Sequence, residues 1–415
     1  MFKNIIHSIF TKGIVALINF FILIITSRYF GITARGEISI FILNITIIQL
    51  INETYTGYSL VYFIPKFNLK KIFIIGIIYT LIFTSLSNLI IVFINKQIIG
   101  FEWMGYLISL IIIINSFNSV LILGKEKVKL YNFLNFLQPF LLLLGVLIYI
   151  FILNYNSISA FVFPLFFSFA ISFVISFFYA QKLVFFDLSF TNYEFKPIII
   201  NGIICQASTL MFILGNRYSY YLLPSSSKIG LYSTASSLIE SILIISNGIS
   251  PILLARVANL GDTKQSSKIT LSLSKISLII SSIAVIIIFI IPETLYLKIL
   301  GNEFIGIKRL MTLYAPGILM ISFFGIISNY FSALGKLKLI LFCNSFGFII
   351  TLIFTPILIK KYDVAGAAYS VNLAYLAVSI AIGVAFFLTN NIKLKQLFSF
   401  KNDLKNLKDL ITSKN

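Results

Sequence analysis

The sequence predicts an all-α polytopic membrane protein, on the evidence of its composition, its apolar runs and the placement of its basic residues. Of 415 residues, 59% are hydrophobic and only 11% are charged, and the mean hydropathy is +1.01. About twelve apolar stretches of about 20 residues follow one another, separated by short hinges rich in Lys, Asn, Ser and Gly. Because about 20 apolar residues cross the hydrocarbon core as a helix, each stretch predicts one transmembrane helix.

The apolar stretches set the order of the predicted helices. The first is retained in the mature chain, because it is too long for a signal-peptide core and 30–32 (FGI) is not a small-residue cleavage site. The predicted spans are 5–27, 37–63, 72–94, 103–123, 134–153, 158–180, 198–221, 230–256, 270–291, 307–334, 337–359 and 364–388.

The basic residues predict the orientation. When Lys and Arg are summed over alternate hinges, the side that holds the N-terminus and the C-terminal tail collects 22 of the 32 basic residues. Cytoplasmic loops of membrane proteins carry this excess. We therefore expect both termini in the cytoplasm, which requires an even number of helices.

The net charge of +19 does not indicate nucleic-acid binding, because the chain has no soluble basic domain. Topology and an Ile/Asn/Lys-rich composition account for the excess, and attraction to anionic lipid headgroups is the alternative. Cys205, Cys343 and the single histidine, His7, are too few for a disulfide framework, a zinc site or a heme-ligand pair. No metal and no cofactor are expected.

Two short repeats predict two six-helix halves in the same membrane orientation. The segment 36–39 (GEIS) recurs as 230–233 (GLYS), a shift of 194, and 123–127 (LGKEK) recurs as 334–338 (LGKLK), a shift of 211. The polar hinge 187–197 joins the halves, which gives an N-terminal bundle over 1–190 and a C-terminal bundle over 191–388. The tail, 389–415, has apolar residues at steps of three and four among lysines and predicts an amphipathic helix on the cytoplasmic leaflet. A solvated tail is the alternative.

Polar residues inside a bilayer are costly, so they normally face other helices or a wet cavity. Two arginines, Arg28 and Arg217, end helices 1 and 7. The other polar residues recur on one face each of three predicted helices: Lys12, Asn19 and Thr26 at steps of seven on helix 1, Thr46, Gln49, Glu53 and Thr56 on helix 2, and the stripe of Ser233, Ser237, Glu240 and Asn247 on helix 8. We expect these helices to line one polar cavity, although helix-to-helix hydrogen bonding would also explain the Ser and Thr. The candidate cavity residues are Lys12, Asn19, Arg28, Gln49, Glu53, Arg217, Glu240 and Asn247.

Several segments resemble the polysaccharide flippases, the O-antigen-type exporters of the MOP superfamily. Residues 27–37 (SRYFGITARGE) resemble the family's helix 1–2 hinge, 228–235 (KIGLYSTA) its helix 7–8 hinge, and 333–338 (ALGKLK) with 361–368 (KYDVAGAA) its helix 10–12 segment. The resemblance covers essentially the whole chain. Many members carry an acidic residue shortly after the basic position of helix 7, whereas Ser219 and Tyr220 stand there in this chain.

The resemblance implies a twelve-helix, V-shaped transporter of the bacterial inner membrane, and not an enzyme. It would flip undecaprenyl-pyrophosphate-linked sugar repeat units from the cytoplasmic to the periplasmic leaflet by alternating access. Its implied partners are the lipid-linked sugar, the bilayer and other membrane proteins of polysaccharide assembly. The sequence has no P-loop motif, so we do not expect it to hydrolyse ATP.

Two other functions fit a chain of this size and hydropathy. A multidrug exporter of the same superfamily would need acidic groups for cationic drugs, and Glu53 and Glu240 are the candidates. A membrane-embedded polysaccharide polymerase or ligase would need a large periplasmic loop with catalytic groups. The longest predicted outer loop, 292–306, is short. Its charged residues, Glu293, Lys298 and Glu303, do not form a paired catalytic set.

Overall fold

The computed structural model describes residues 2–94, 101–155, 157–185, 194–259 and 263–390, and every regular element in these ranges is helical. The predicted helix in the tail and the side chain of His7 lie outside the described residues. The α-helices are α1 (Phe2–Thr56), α2 (Leu69–Ile94), α3 (Glu102–Gly124), α4 (Val128–Phe151), α5 (Ser159–Phe185), α6 (Phe195–Arg217), α7 (Ser226–Glu240), α8 (Ile244–Asn259), α9 (Thr263–Ile290), α10 (Glu293–Leu300), α11 (Ile307–Ala333), α12 (Leu337–Tyr362) and α13 (Val364–Asn390).

The helices confirm the predicted fold class of a multi-pass membrane protein. Within the described residues, 11 helical stretches are long and apolar enough to cross a bilayer. The first of them, Phe10–Tyr62, is 53 residues long and bends at Gly31, whose φ of 78° and ψ of 177° are not helical. Its two arms match the first two predicted spans. The predicted eighth span consists of α7, the 3-10 turn Ser241–Leu243 and α8.

The described chain divides into two compact units, and the division falls inside α6. Unit 1 comprises residues 1–210, 225–230 and 299–303, and unit 2 comprises 211–224, 231–298 and 304–415. The division into six-helix bundles over 1–190 and 191–388 stays a prediction. The first part of α6 belongs to unit 1 because it packs tightly on the end of α1: a Cβ added at Gly202 would lie 1.6 Å from the Thr54 carbonyl oxygen.

Within unit 1, a row of serines on α5 joins three helices. The three side chains are one turn apart and buried, and each is hydrogen-bonded to an amide side chain of α3 or α4. Such bonds help to specify helix packing in a bilayer, because lipid provides no hydrophobic driving force for helix association. The pairs are Gln138 Nε2 to Ser168 Oγ at 3.2 Å, Ser172 Oγ to Asn115 Oδ1 at 3.4 Å, and Asn118 Nδ2 to Ser176 Oγ at 3.2 Å.

Also within unit 1, the start of α7 crosses α1 at a pair of glycines. A Cβ added at Gly36 would lie 1.8 Å from the carbonyl oxygen of Ser226, and a Cβ at Gly230 would lie 1.9 Å from that of Ile32. The two contacts are reciprocal, because Ser226 corresponds to Ile32 and Gly230 to Gly36 at the predicted shift of 194. The repeat that the sequence shows here is therefore a close backbone crossing, of the kind that small residues permit between membrane helices.

The turns between α3 and α4 and between α11 and α12 repeat each other, at a shift of 209 (126 to 335) and not the predicted 211. Glu126 and Gly335 hold the same place, with φ of 58° and 70°. The backbone N–H bonds correspond pairwise: Lys125 to Leu121, Glu126 to Leu123 and Lys127 to Ile122 in the first turn, and Leu334 to Tyr330, Gly335 to Ser332 and Lys336 to Phe331 in the second. The sequence match aligned Gly124 with Gly335, but the structure aligns Glu126 with Gly335. A glutamate occupies the left-handed position in the first turn, where the second turn has a glycine.

The same shift relates the next pair of turns, where Asn154 and Asp363 have φ of 56° and 52°. The shift thus rises from 194 at the glycine crossing to 209 in the later turns. In that interval the second half of the chain contains the short helix α10 and the 3-10 turn Asn302–Phe304. We infer that this segment accounts for the longer spacing.

The predicted orientation can be tested with reporter fusions. Because the basic excess places both termini in the cytoplasm, a reporter that is active only there should work when fused after Lys414. The same reporter should be inactive when fused within 292–306. Periplasmic activity of the fusion after Lys414 would contradict the even number of crossings.

Candidate functional site

Arg217 is fixed at the end of α6 by two side chains of α7. The helix passes directly into the 3-10 turn Tyr218–Tyr221, so Arg217 lies at a break in a membrane-spanning stretch. Its Nη1 donates to Ser236 Oγ at 2.9 Å, and its Nη2 forms a hydrogen-bonded ion pair with Glu240 Oε2. The side chains of Arg217 and Glu240 are 21% and 18% exposed. All of these groups belong to unit 2.

Four buried tyrosines surround this ion pair, and we call them the tyrosine cluster: Tyr220, Tyr232, Tyr314 and Tyr375. The ring of Tyr220 lies 5.5 Å from the Arg217 guanidinium carbon, a cation–π distance. Tyr314 donates its hydroxyl to Glu240 Oε1 at 3.3 Å, and Tyr232 donates to Tyr314 at 3.4 Å. Tyr375 packs edge-on against Tyr314, with ring centroids 6.4 Å apart. The cluster thus supplies aromatic faces and hydroxyls around one fixed cation.

Glu53 lies in a separate polar site within unit 1. It is 7% exposed. Gln49 Nε2 and Ser116 Oγ donate to its Oε1 at 2.7 and 3.0 Å, and Gln206 Nε2 donates to its Oε2 at 3.4 Å. None of the lysines and arginines that the structure describes forms an ion pair with this carboxylate. Among the described residues, the donors to Glu53 are all neutral, and the carboxylate lies inside a membrane-spanning stretch.

Four of the other candidate cavity residues are exposed side chains. Lys12, Asn19 and Arg28 lie exposed on the first arm of α1, and Asn247 is exposed on α8. Thr26, which the step of seven places on the face of Lys12 and Asn19, is instead buried and donates to the carbonyl of Ile22 at 2.7 Å. An exposed side chain on a membrane-spanning helix faces either lipid or a wet cavity.

Among the candidate cavity residues, the structure brings Gln49 into contact with Glu53 and Arg217 into contact with Glu240. Asn247, which the sequence places on the stripe of Glu240, follows the 3-10 turn Ser241–Leu243, so the regular helical phase does not continue between them. Ser236, and not Ser237 of the predicted stripe, shares Arg217 with Glu240.

Sequence reasoning missed Ser116, Ser236, Gln206 and the tyrosine cluster. Ser236 could have been found, because it precedes Glu240 by four residues and so lies one turn away on the same helix face. Tyr220 and Tyr232 could have been found in the same way, because Tyr220 follows Arg217 by three residues and Tyr232 precedes Ser236 by four. Ser116, Gln206, Tyr314 and Tyr375 come from helices distant in sequence, and nothing in their spacing marks them.

Solved structures of several transporters share this fold. An inward-facing multidrug resistance transporter of the MATE family, in the MOP superfamily, aligns with a TM-score of 0.69 at 14% identity, over 93% of this chain and 96% of that chain. The lipid II flippase MurJ, in an inward closed conformation, aligns with a TM-score of 0.67 at 13% identity, over 98% of this chain and 92% of that chain. A MOP-superfamily transporter from Pyrococcus furiosus gives 0.64 at 13% identity, over 96% and 95%.

The chain has the fold of the MOP-superfamily transporters. No family model and no curated protein sequence matches it. At these identities the likeness concerns the arrangement of helices, and this fold is shared by a lipid II flippase and by a multidrug resistance transporter. The choice between such substrates has to be argued from the side chains of this chain.

Proposed function

We propose that this protein flips undecaprenyl-pyrophosphate-linked oligosaccharide repeat units, of the O-antigen or capsule type, from the cytoplasmic to the periplasmic leaflet by alternating access. The observation that carries the proposal is the Arg217 site. It combines a fixed cation, hydroxyl groups and aromatic rings at the break in a membrane-spanning stretch. The MOP fold supports the transport class.

The chemistry of the substrate explains why such a site is needed. A pyrophosphate headgroup leaves water as it crosses the bilayer, so its charge requires fixed cations along the route. The guanidinium fork of Arg217 matches phosphate oxygens bidentately. Sugars need hydroxyl and amide partners together with aromatic faces, and the tyrosine cluster with Ser236 offers them.

The remaining candidate residues have supporting roles in the proposal. Arg28 and Lys12 would provide further cations for the pyrophosphate. Asn19, Gln49 and Asn247 would provide hydrogen bonds to sugar. The bacterial inner membrane is the proposed location, and other membrane proteins of polysaccharide assembly are the proposed partners.

A multidrug exporter is the second candidate, and Glu53 is the observation that favours it. A cationic drug needs a carboxylate that is not already neutralised, and among the described residues only neutral groups donate to Glu53. Glu240 does not offer the same, because Arg217 already pairs with it. Because Arg217 and Glu240 neutralise each other, the preference for the flippase rests on the hydroxyl groups and aromatic rings that surround this pair, since sugars need both kinds of partner.

A polymerase or ligase is less well supported, because the carboxylates of the outer loop have structural roles. Within unit 1, Glu303 accepts the backbone N–H of Ile32 at 2.8 Å, at the bend of α1. Within unit 2, Glu293 accepts the N–H of Gly306 at 2.7 Å. Both act as caps of backbone groups that would otherwise lack a partner.

A reconstituted assay tests the function directly. The purified full chain would be inserted into liposomes that hold a fluorescent undecaprenyl-pyrophosphate-linked oligosaccharide in one leaflet. We expect the protein to make the sugar accessible to a membrane-impermeant glycosidase on the other side, because the headgroup crosses through the transporter. Liposomes without protein serve as the control.

The same liposomes, loaded with a cationic dye, discriminate between the two candidates. A flippase should leave dye efflux at the level of empty liposomes, and E53Q should flip the oligosaccharide. Dye efflux that E53Q abolishes, with no movement of the oligosaccharide, would replace the flippase proposal by the drug exporter.

A further inference from the structure

The positive charge of Arg217 is already paired within the protein. Nη1 donates to Ser236, Nη2 is engaged by Glu240, and the ring of Tyr220 lies near its central carbon. Only 21% of the side chain is exposed. A phosphate that binds beside the intact pair meets the like charge of the Glu240 carboxylate at short range, so a tight contact with Arg217 requires that this carboxylate move away.

Glu240 is placed where such a movement is local. It is the last residue of α7, and the 3-10 turn Ser241–Leu243 follows at once. Its Oε1 accepts the hydroxyl of Tyr314, which in turn accepts that of Tyr232. When Oε2 leaves Arg217, this chain of hydroxyls still offers the carboxylate a hydrogen bond, so it is not stranded without a donor.

We propose that Glu240 is an internal competitor for Arg217, a carboxylate that the pyrophosphate of the substrate must displace in order to bind. The inference rests on the proposed function, because it concerns the same site and the same anion. It has two consequences. Anions that contact Arg217 no better than a carboxylate does are rejected, and the return of Glu240 to Arg217 promotes release of the pyrophosphate.

The competition predicts how affinity changes when the carboxylate is neutralised. The probe is inorganic pyrophosphate, titrated by calorimetry into the purified full chain in detergent. We expect E240Q to bind it about tenfold more tightly than the unaltered protein, equivalent to roughly 1.4 kcal/mol. E293Q is the matched control. It removes one carboxylate charge of unit 2 outside this site, its amide oxygen can still accept the N–H of Gly306, and it should leave the affinity unchanged.

A double-mutant cycle separates competition from a general effect of negative charge. In the R217Q background, the substitution E240Q should no longer increase the affinity for pyrophosphate. No guanidinium is left there for which Glu240 and pyrophosphate could compete. The neutral pair R217Q/E240Q leaves no unpaired buried charge, so it also controls for failure to fold. A nearby carboxylate that merely repels anions would weaken binding equally with and without Arg217, and equal gains in the two backgrounds would overturn the proposal.

Two further outcomes separate this inference from the proposed function. If E240Q binds pyrophosphate no better than the unaltered protein while R217Q abolishes binding, the competitor is wrong and the flippase proposal stands. If neither the unaltered protein nor E240Q binds inorganic pyrophosphate or the lipid-linked oligosaccharide, both proposals are overturned.

Discussion

Replacing Arg217 by Ala should abolish or sharply reduce surface polysaccharide while the protein remains inserted in the membrane. The substitution removes a charge-assisted contact to pyrophosphate worth about 1.5–3 kcal/mol. Lys should rescue partly, because it keeps the charge but loses the fork. Glu should be worse than Ala, because it repels the phosphates and faces Glu240. The measurement is surface polymer per amount of membrane-inserted protein.

The ion pair makes protein level a necessary part of this experiment. Removal of Arg217 leaves Glu240 without its partner, and breaking a buried pair commonly costs about 3–5 kcal/mol of stability. R217A/E240A is therefore the control, since it lacks both charges. If it inserts normally but displays no polymer, the loss reflects function and not folding.

Arg28 and Lys12 complete the test of a cationic route. Both are exposed on the first arm of α1, so their replacement should disturb folding less than that of Arg217. We expect Ala at Arg28 to reduce surface polymer as well. Wild-type amounts of polymer from the Ala and Glu variants at Arg217, Arg28 and Lys12 would show that the cationic-cavity mechanism is wrong for this protein.

The second large effect is expected at the glycine crossing of α1 and α7. A single methyl group at Gly36 would lie 1.8 Å from a backbone oxygen, and at Gly230 1.9 Å. A backbone atom cannot rotate aside as a side chain can, so the helices would have to separate. We expect G36A and G230A to destabilise the protein by at least the roughly 1–3 kcal/mol typical of overpacking. The measurement is the Tm of the purified protein, together with the amount inserted.

Gly325 provides the matched control for these variants. It lies within α11, and a Cβ there would meet nothing within 4 Å. G325A should therefore keep or slightly raise the Tm, because Ala is the better helix former by about 1 kcal/mol. If G36A and G230A have the same Tm as G325A and the unaltered protein, the close backbone contact is contradicted.

Hydropathy alone predicted the helices because the bilayer imposes a length on every crossing segment. A span of about 20 apolar residues has few other structural solutions, and the twelve predicted spans match the described helices. The sequence did not reveal two features of the fold, the alignment of the repeated turn and the boundary between the compact units. The left-handed turn residue is a glutamate at Glu126 where the second half has Gly335, so the apparent repeat was displaced by two residues. The unit boundary lies within α6 because Gly202 packs on Thr54.

The candidate sites divide in the same way. The sequence by itself identified Glu53, Arg217 and Glu240, because a charged group inside an apolar helix is conspicuous. Only the tertiary structure decided their partners. Arg217 and Glu240 are on different helices, and so are Glu53 and two of its donors, Ser116 and Gln206, so no helical period connects these groups. Gln49 alone lies one turn from Glu53 on the same helix. This sequence departs from the resembled family in having Ser219 and Tyr220 where many members carry an acidic residue. Arg217 pairs instead with Glu240 of the next helix, because the packing of helix faces, and not distance along the chain, sets which charges meet.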